Sequence, residues 1–186
     1  MSMIRVAPDD LPCYTVADHA AWDGDWELIG GIPYAMTPSP TVRHQSVAAR
    51  FVTAFTAALE SCEACIAVFE CDWHVDGTTV LRPDVSVVCR VDPDGFITRA
   101  PEILVEILSP STASRDHGLK RQLYEQAGVA HYLVVDPNTL DVQHHRLDGT
   151  AFDPPVMRRG GTLPFEAITC PFSIDLDKVL QTDRPA

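Results

Sequence analysis

The chain reads as an α/β protein, a mixed β-sheet with helices packed on it. Three observations predict this. Val47, Ala48, Phe51, Val52, Phe55, Ala58 and Leu59 recur at spacings of three and four, which lines one face of a helix with apolar side chains. Ile103-Leu104-Val105-Glu106-Ile107-Leu108 is an apolar run holding one charge, the pattern of a central strand buried on both faces. The predicted order α-β-β-α-β-β-β-α-β-β alternates the two element types, as layered folds do. With 186 residues, 46% hydrophobic and 22% charged, the chain is ordinary globular material and long enough for one domain, 1–186, with a real core.

The elements follow in order. Thr15 with Asp18 three residues on predicts a helix N-cap and a short helix to about Trp22. Trp26-Glu27-Leu28-Ile29, Gly30-Gly31 and Ile32-Pro33-Tyr34-Ala35-Met36 predict a hairpin, with Pro33 confining its second strand to an edge. Thr41 can cap the long helix. A strand is expected over Ile66 to Val75, turning at Asp76-Gly77, and another from about Val80 to Cys89. After the central run, a helix is expected over about Ser114 to Ala127, ended by Gly128 as its C′ residue. His131 to Val135 and Leu140 to Leu147 should pair as a hairpin around Asp136-Pro137-Asn138. Past Asp148 the pattern weakens, apart from a closing helix near Asp175 to Leu180.

Composition bounds the partners. Fourteen basic against 26 acidic residues give a net charge of −12, which repels phosphate unless cations concentrate locally or a metal neutralises it. No apolar stretch approaches the ~18 residues of a membrane span, and the first ten residues lack a signal-peptide core. The expectation is a soluble cytoplasmic protein. Six cysteines are an even number, but that compartment argues against disulfides. Cys62 and Cys65 form a CxxC with Cys71 nearby, but a zinc site needs a fourth ligand that the sequence does not show, so inert thiols are the favoured reading.

Two carboxylates stand where carboxylates are expensive. Glu106 interrupts the central apolar run, and Asp84 opens Asp84-Val85-Ser86-Val87-Val88-Cys89 directly after Pro83. Burying either requires a partner: a basic side chain, a proton or a metal. Two carboxylates on neighbouring strands suit Mg²⁺, which takes its remaining ligands from water and phosphate. Lys120 stands four residues after Asp116 and beside Leu119 and Leu123. Either it forms a solvated ion pair or its ammonium points into a site at the strand ends. His44 shares a line with Ala48, Phe51 and Phe55 and should look toward the sheet. Glu27, taken alone, reads as a solvent-facing strand residue.

These residues carry a resemblance. Trp26 to Gly31, Arg82-Pro83-Asp84-Val85-Ser86-Val87-Val88, Leu104-Val105-Glu106-Ile107-Leu108-Ser109-Pro110-Ser111-Thr112, the stretch Asp116 to Lys120, Tyr124, Gly128-Val129, and Tyr132 with Val135-Asp136-Pro137 together resemble the Uma-two family of restriction-endonuclease-like proteins. The family has a PD-(D/E)xK nuclease core. The resemblance covers about Thr15 to Leu147. It implies a restriction-endonuclease-like core, a central mixed β-sheet flanked by helices. Asp84 and Glu106 would be metal ligands, with the main-chain carbonyl of Ile107 as a third. The superfamily usually places its lysine two residues after the acid, where this chain has Leu108; in the Uma-two pattern the following helix carries it, and Lys120 matches. Glu27 matches an acidic residue of the early hairpin, and His44 a histidine opening the long helix. His131 and Leu133 depart from the family's usual Glu and Trp, which bears on partner contacts.

The implied activity is Mg²⁺- or Mn²⁺-dependent phosphodiester hydrolysis of nucleic acid, DNA first, by a homodimer. Arg43, Arg50, Arg82, Arg115 and Arg121 are the candidates for phosphate contact. Two other readings stay open: a non-catalytic interaction module with a nuclease fold, and a metal-dependent hydrolase of a small phosphoester, which suits the acidic charge better.

Overall fold

Local chemistry sets the first elements of the computed structural model, which describes residues 12–36, 38–109 and 116–181. Thr15 and Asp18 form a reciprocal capping box at the start of α1 (Val16–His19). Strands β1 (Trp26–Ile29) and β2 (Ile32–Ala35) form the expected hairpin, and Gly30 and Gly31 both take positive φ, +56° and +78°, as a two-residue turn of that hand requires. Pro33 sits on an edge strand. Thr41 caps α2 (Val42–Ala58), accepting a hydrogen bond from the His44 N–H.

Two long strands of the sequence reading are each divided. Ile66 to Val75 becomes β3 (Cys65–Phe69) and β4 (Trp73–Asp76), broken where Glu70 takes a φ of +47°. Val80 to Cys89 becomes β5 (Thr79–Leu81) and β6 (Val85–Cys89), broken at Arg82-Pro83-Asp84, where proline has no N–H for a ladder. Both breaks have one cause: the chain leaves one sheet for another. A four-stranded antiparallel sheet has the order β2-β1-β5-β4. The central sheet runs β10-β9-β8-β7-β6-β3, with β11 also on β9.

In the central sheet β7 (Ile103–Ile107) and β8 (His131–Val135) run parallel, joined by a helical crossover. Their neighbours β6 and β9 (Val142–Asp148) pair with them antiparallel. The crossover begins as a π-helical turn over Asp116–Lys120 and continues as α3 (Arg121–Ala127). Residues 110–115, including the first helical positions expected from the sequence, lie outside the described residues. Gly128 ends α3 in the left-handed conformation, at φ +84°. The region with the weakest pattern folds as strands: β10 (Ala151–Phe152), β11 (Val156–Arg158), β12 (Thr162–Phe165) and β13 (Phe172–Asp175). The closing helix α4 (Leu176–Val179) forms where expected.

Because side chains alternate across a strand, the central sheet has two buried faces. On one, Ile103, Val105, Ile107, Val85 and Val87 pack under Val47, Phe51 and Phe55 of α2. On the other, Leu104, Tyr132 and Val134 pack with Tyr124 of α3 and with Trp73. Glu106 shares the parity of Leu104, so it points toward α3. Cysteine pairing corrects the expectation of inert thiols: Cys62 is bonded to Cys170 and Cys65 to Cys89, while Cys13 and Cys71 are free. No helix of the described residues is long and apolar enough to cross a membrane.

His131 and Leu133 are buried in β8, so the two departures from the family pattern lie in the core and not on a partner surface. His131 Nε2 lies 2.7 Å from the Glu166 carbonyl and its Nδ1 2.9 Å from His144 Nε2. The carbonyl can only accept, so His131 donates to it and accepts from His144. Burial, helped by the neighbouring His131, Arg158, Arg146 and His145, lowers the His144 pKa to about 3; burial also lowers His131. The unfolded chain therefore binds more protons below the ordinary histidine range, and stability present above pH ~6.5 is lost as the pH falls toward the folded-state value. The urea midpoint should drop between pH 6.5 and 4. His144→Gln, which keeps a hydrogen bond and removes the titration, should flatten that slope by about 1.4 kcal/mol per pH unit. An unchanged slope in the variant would reject the assignment.

Candidate active site

The site forms where the two sheets meet the crossover helix. Glu27 points inward from β1 and is 2% exposed, not the solvent-facing residue expected of it in isolation. Glu106 is 3% exposed and Lys120 3%. Lys120 Nζ lies 2.8 Å from Glu27 Oε1 and 3.0 Å from Glu106 Oε1. One ammonium therefore joins a strand of the smaller sheet to the central strand of the larger one. The neighbouring Leu119 is 38% exposed, so the lysine and not the leucine turns inward. The π-helical turn ending at Lys120 replaces the α-helical hydrogen-bond offset with a longer one, a feature that recurs at functional positions. The Asp116 side chain, expected to share a helix face with Lys120, lies outside the described residues.

Tyr124, four residues after Lys120, shares its helix face. Its hydroxyl donates to Glu106 Oε1 at 2.5 Å. Burial, reinforced by the Glu106 charge, holds the phenol well above its usual pKa, so it stays a donor. Trp73 stacks on the ring. The Arg82 backbone N–H donates to Glu27 Oε1 at 3.1 Å. Sequence reasoning gave neither group a role. The spacing of Tyr124 from Lys120 was the available signal; the Arg82 amide had none.

Asp84 stands immediately before β6. The β6–β7 register pairs Val85 with Val105, and one further step sets Asp84 across from Glu106. Its Oδ2 accepts the Ile107 N–H at 2.6 Å and lies 3.3 Å from His44 Nε2. His44 does face the sheet, from the first turn of α2. Burial disfavours its charged form, but Asp84, the Ile107 backbone and Glu70 outweigh that and raise its pKa. His44 Nδ1 is buried with no hydrogen-bond partner.

The structure thus brings Glu27, Glu106 and Lys120 into direct contact and links Asp84 and His44 to them through Ile107. Lys120 reaches Glu106 from the crossover helix, while Leu108, at the usual lysine position, packs into the apolar cluster around Tyr124.

The candidate phosphate contacts fare differently. Arg82 is held charged by Asp72 and Asp25, its Nε 2.6 Å from one and Nη1 2.6 Å from the other. Arg121 pairs with Glu125. Arg43 and Arg50 line one shallow pocket with Pro137, Asn138 and Gln181. Arg115 lies outside the described residues.

The donors suit a hard divalent cation. Glu27 and Glu106 share the Lys120 ammonium, and the Asp84–His44 pair adjoins them through the Ile107 N–H. Among the described residues, every cluster of three acidic, histidine or cysteine ligand atoms within 4.8 Å contains cysteine. A cation held by Asp84 and Glu106 would take its remaining ligands from water and phosphate, as Mg²⁺ does.

Comparison with known proteins agrees with this fold. A family model described as "Putative restriction endonuclease", Uma2, matches residues 16–176. The chain is also similar to a crystal structure of "a putative nuclease belonging to DUF820" from Anabaena variabilis ATCC 29413. The TM-score is 0.71 at 16% identity, covering 89% of this chain and 97% of that one. No curated protein matches. The expected fold, a restriction-endonuclease-like mixed sheet flanked by helices, stands, and the chain belongs to the Uma2 family.

Proposed function

We propose that the chain is a metal-dependent nuclease that hydrolyses phosphodiester bonds, with DNA as its first substrate. The observation supporting this most directly is the charge at the site: buried Glu27 and Glu106 share the buried Lys120 ammonium, beside Asp84. Carboxylates gathered in this way are costly to bury, and a further cation lowers the cost. Asp84 and Glu106, with the Ile107 carbonyl, would hold Mg²⁺ or Mn²⁺, and the metal would polarise a phosphoryl oxygen and acidify a bound water.

The chain's own residues do the rest. Glu27 and Glu106 fix the Lys120 ammonium, which orients the attacking water and offsets charge developing on the phosphoryl group. Tyr124 holds the Glu106 carboxylate through one oxygen. His44 positions Asp84 from the other side. The N-terminal turn of α2, with Arg43, presents positive potential to a backbone phosphate. The chain acts as one domain, and pairing of two copies would set their arginine clusters along one duplex and offset the −12 charge. The same −12 favours a second reading, hydrolysis of a small phosphoester, and the assay separates the two.

Supercoiled plasmid and small phosphodiesters, incubated side by side with Mg²⁺ or Mn²⁺, test the proposal. Plasmid cleavage is expected, lost on chelation and reduced roughly 100-fold or more in Lys120→Met. Cleavage of the small ester alone would move the assignment to the second reading, and undiminished turnover by Lys120→Met would remove the lysine from the mechanism. Stability gives an independent check. Lys120→Met leaves two buried carboxylates without their ammonium and should cost about 3–5 kcal/mol. Divalent metal should raise the melting temperature of the wild type and not that of Asp84→Asn. Glu106→Gln keeps the shape of the Tyr124 contact, so it should melt near the wild type while losing the metal response.

A further inference from the structure

Four of the six cysteines gather at the end of the central sheet away from the candidate active site. Cys62 follows α2, Cys65 opens β3, Cys89 closes β6, and Cys170 precedes β13. Asp84 and Cys89 flank opposite ends of β6, about 16 Å apart at ~3.3 Å per residue. The four come from elements 24 and 108 residues apart in the chain within each bonded pair. The pairs are not separate bridges: the sulfurs of Cys62, Cys65 and Cys170 all lie within 4.8 Å of one another, and Cys65 is also bonded to Cys89.

We propose that, with its thiols reduced, this quartet is a four-cysteine zinc site. A tetrahedral site with Zn–S bonds of about 2.3 Å spaces its sulfurs about 3.8 Å apart; Cys62, Cys65 and Cys170 already lie within 4.8 Å of one another, and Cys89, now bonded to Cys65, would move in as the fourth. Cys62 and Cys65 supply the CxxC knuckle. Cys89 and Cys170 are the ligands that the linear sequence could not associate with it. Cys65 is buried and the other three are half-buried, as in a closed structural site. A second layer of contacts is present as well. The Glu102 carboxylate, beside Cys65 and Cys89, accepts the Thr169 N–H at 2.8 Å and the Thr169 hydroxyl at 2.5 Å. It thereby fastens the loop carrying Cys170 against the start of β7, in the way outer contacts orient ligands.

The chemistry balances with a dithiol as reductant. Each disulfide takes two electrons and two protons from one dithiol, which leaves as its own disulfide. Zinc binding then releases the four thiol protons. The bound ion would tie α2, β3, β6 and the β12–β13 hairpin together, the elements that the two disulfides join in the oxidised chain.

The full chain, reduced by excess dithiol without oxygen and freed of reductant, should bind one Zn²⁺. Co²⁺ in its place should give the sulfur-to-metal charge-transfer band and strong visible bands of tetrahedral thiolate. A carboxylate site cannot produce that signature, so the outcome is independent of the proposed nuclease site. Zinc should protect Cys62, Cys65, Cys89 and Cys170 from alkylation while Cys13 and Cys71 react. That mapping needs no variant and holds if Cys170→Ser fails to fold. Where Cys170→Ser does fold, it should lose the cobalt thiolate band, and Cys13→Ser should keep it. A reduced chain whose four thiols alkylate equally with and without zinc, or a cobalt spectrum without thiolate bands, overturns the proposal.

Discussion

The Lys120 ammonium, held between Glu27 and Glu106, is the contact on which the arrangement of the site depends. Two sheets and the crossover helix converge on it. A buried carboxylate is tolerable only with compensation, and here two carboxylates from different sheets are compensated by a charge from a third element. The pair of contacts ties the β2-β1-β5-β4 sheet to the central one. It also explains why the crossover helix turns Lys120 inward and leaves Leu119 exposed.

The compensation is shared unevenly, two buried carboxylates to one ammonium. This site gathers oxygen ligands around one ammonium, beside Asp84, which its register sets opposite Glu106. Tyr124 and the Arg82 amide satisfy single carboxylate oxygens without adding charge. The surroundings thus orient the acids and leave room in the charge balance for a cation. The apolar layer beneath, with Trp73 on Tyr124 and Leu104 beside it, holds these side chains in place.

The far end of the same sheet uses cysteine where this end uses carboxylate. Both clusters join elements that arrive from distant parts of the chain. At the cysteine end, disulfides tie the segment after α2 to the loop before β13 and β3 to β6. At the other end, ion pairs and hydrogen bonds join β1, β7 and the crossover helix.

Much of this was legible in the linear chain. The period of the apolar residues in α2, the Gly30-Gly31 turn, the Thr15 and Thr41 caps and the buried run of β7 are local properties, written by backbone preference and side-chain alternation. Glu106 was conspicuous for the same reason, as a charge inside an apolar strand. The resemblance identified Asp84, Lys120, Glu27 and His44 as a set. What remained hidden was everything that depends on two distant segments meeting. The stretches 66–75 and 80–89 each read as one strand where the chain crosses between two sheets; Pro83 marks the second break locally, but nothing local says which sheet each half joins. The burial of Glu27, the inward turn of Lys120, the donor role of the Arg82 amide and the meeting of Cys89 and Cys170 with the CxxC are long-range facts. Residue types and their local geometry follow from the linear chain alone; only the tertiary fold decides which charges lose water together, and that loss gives them their chemistry.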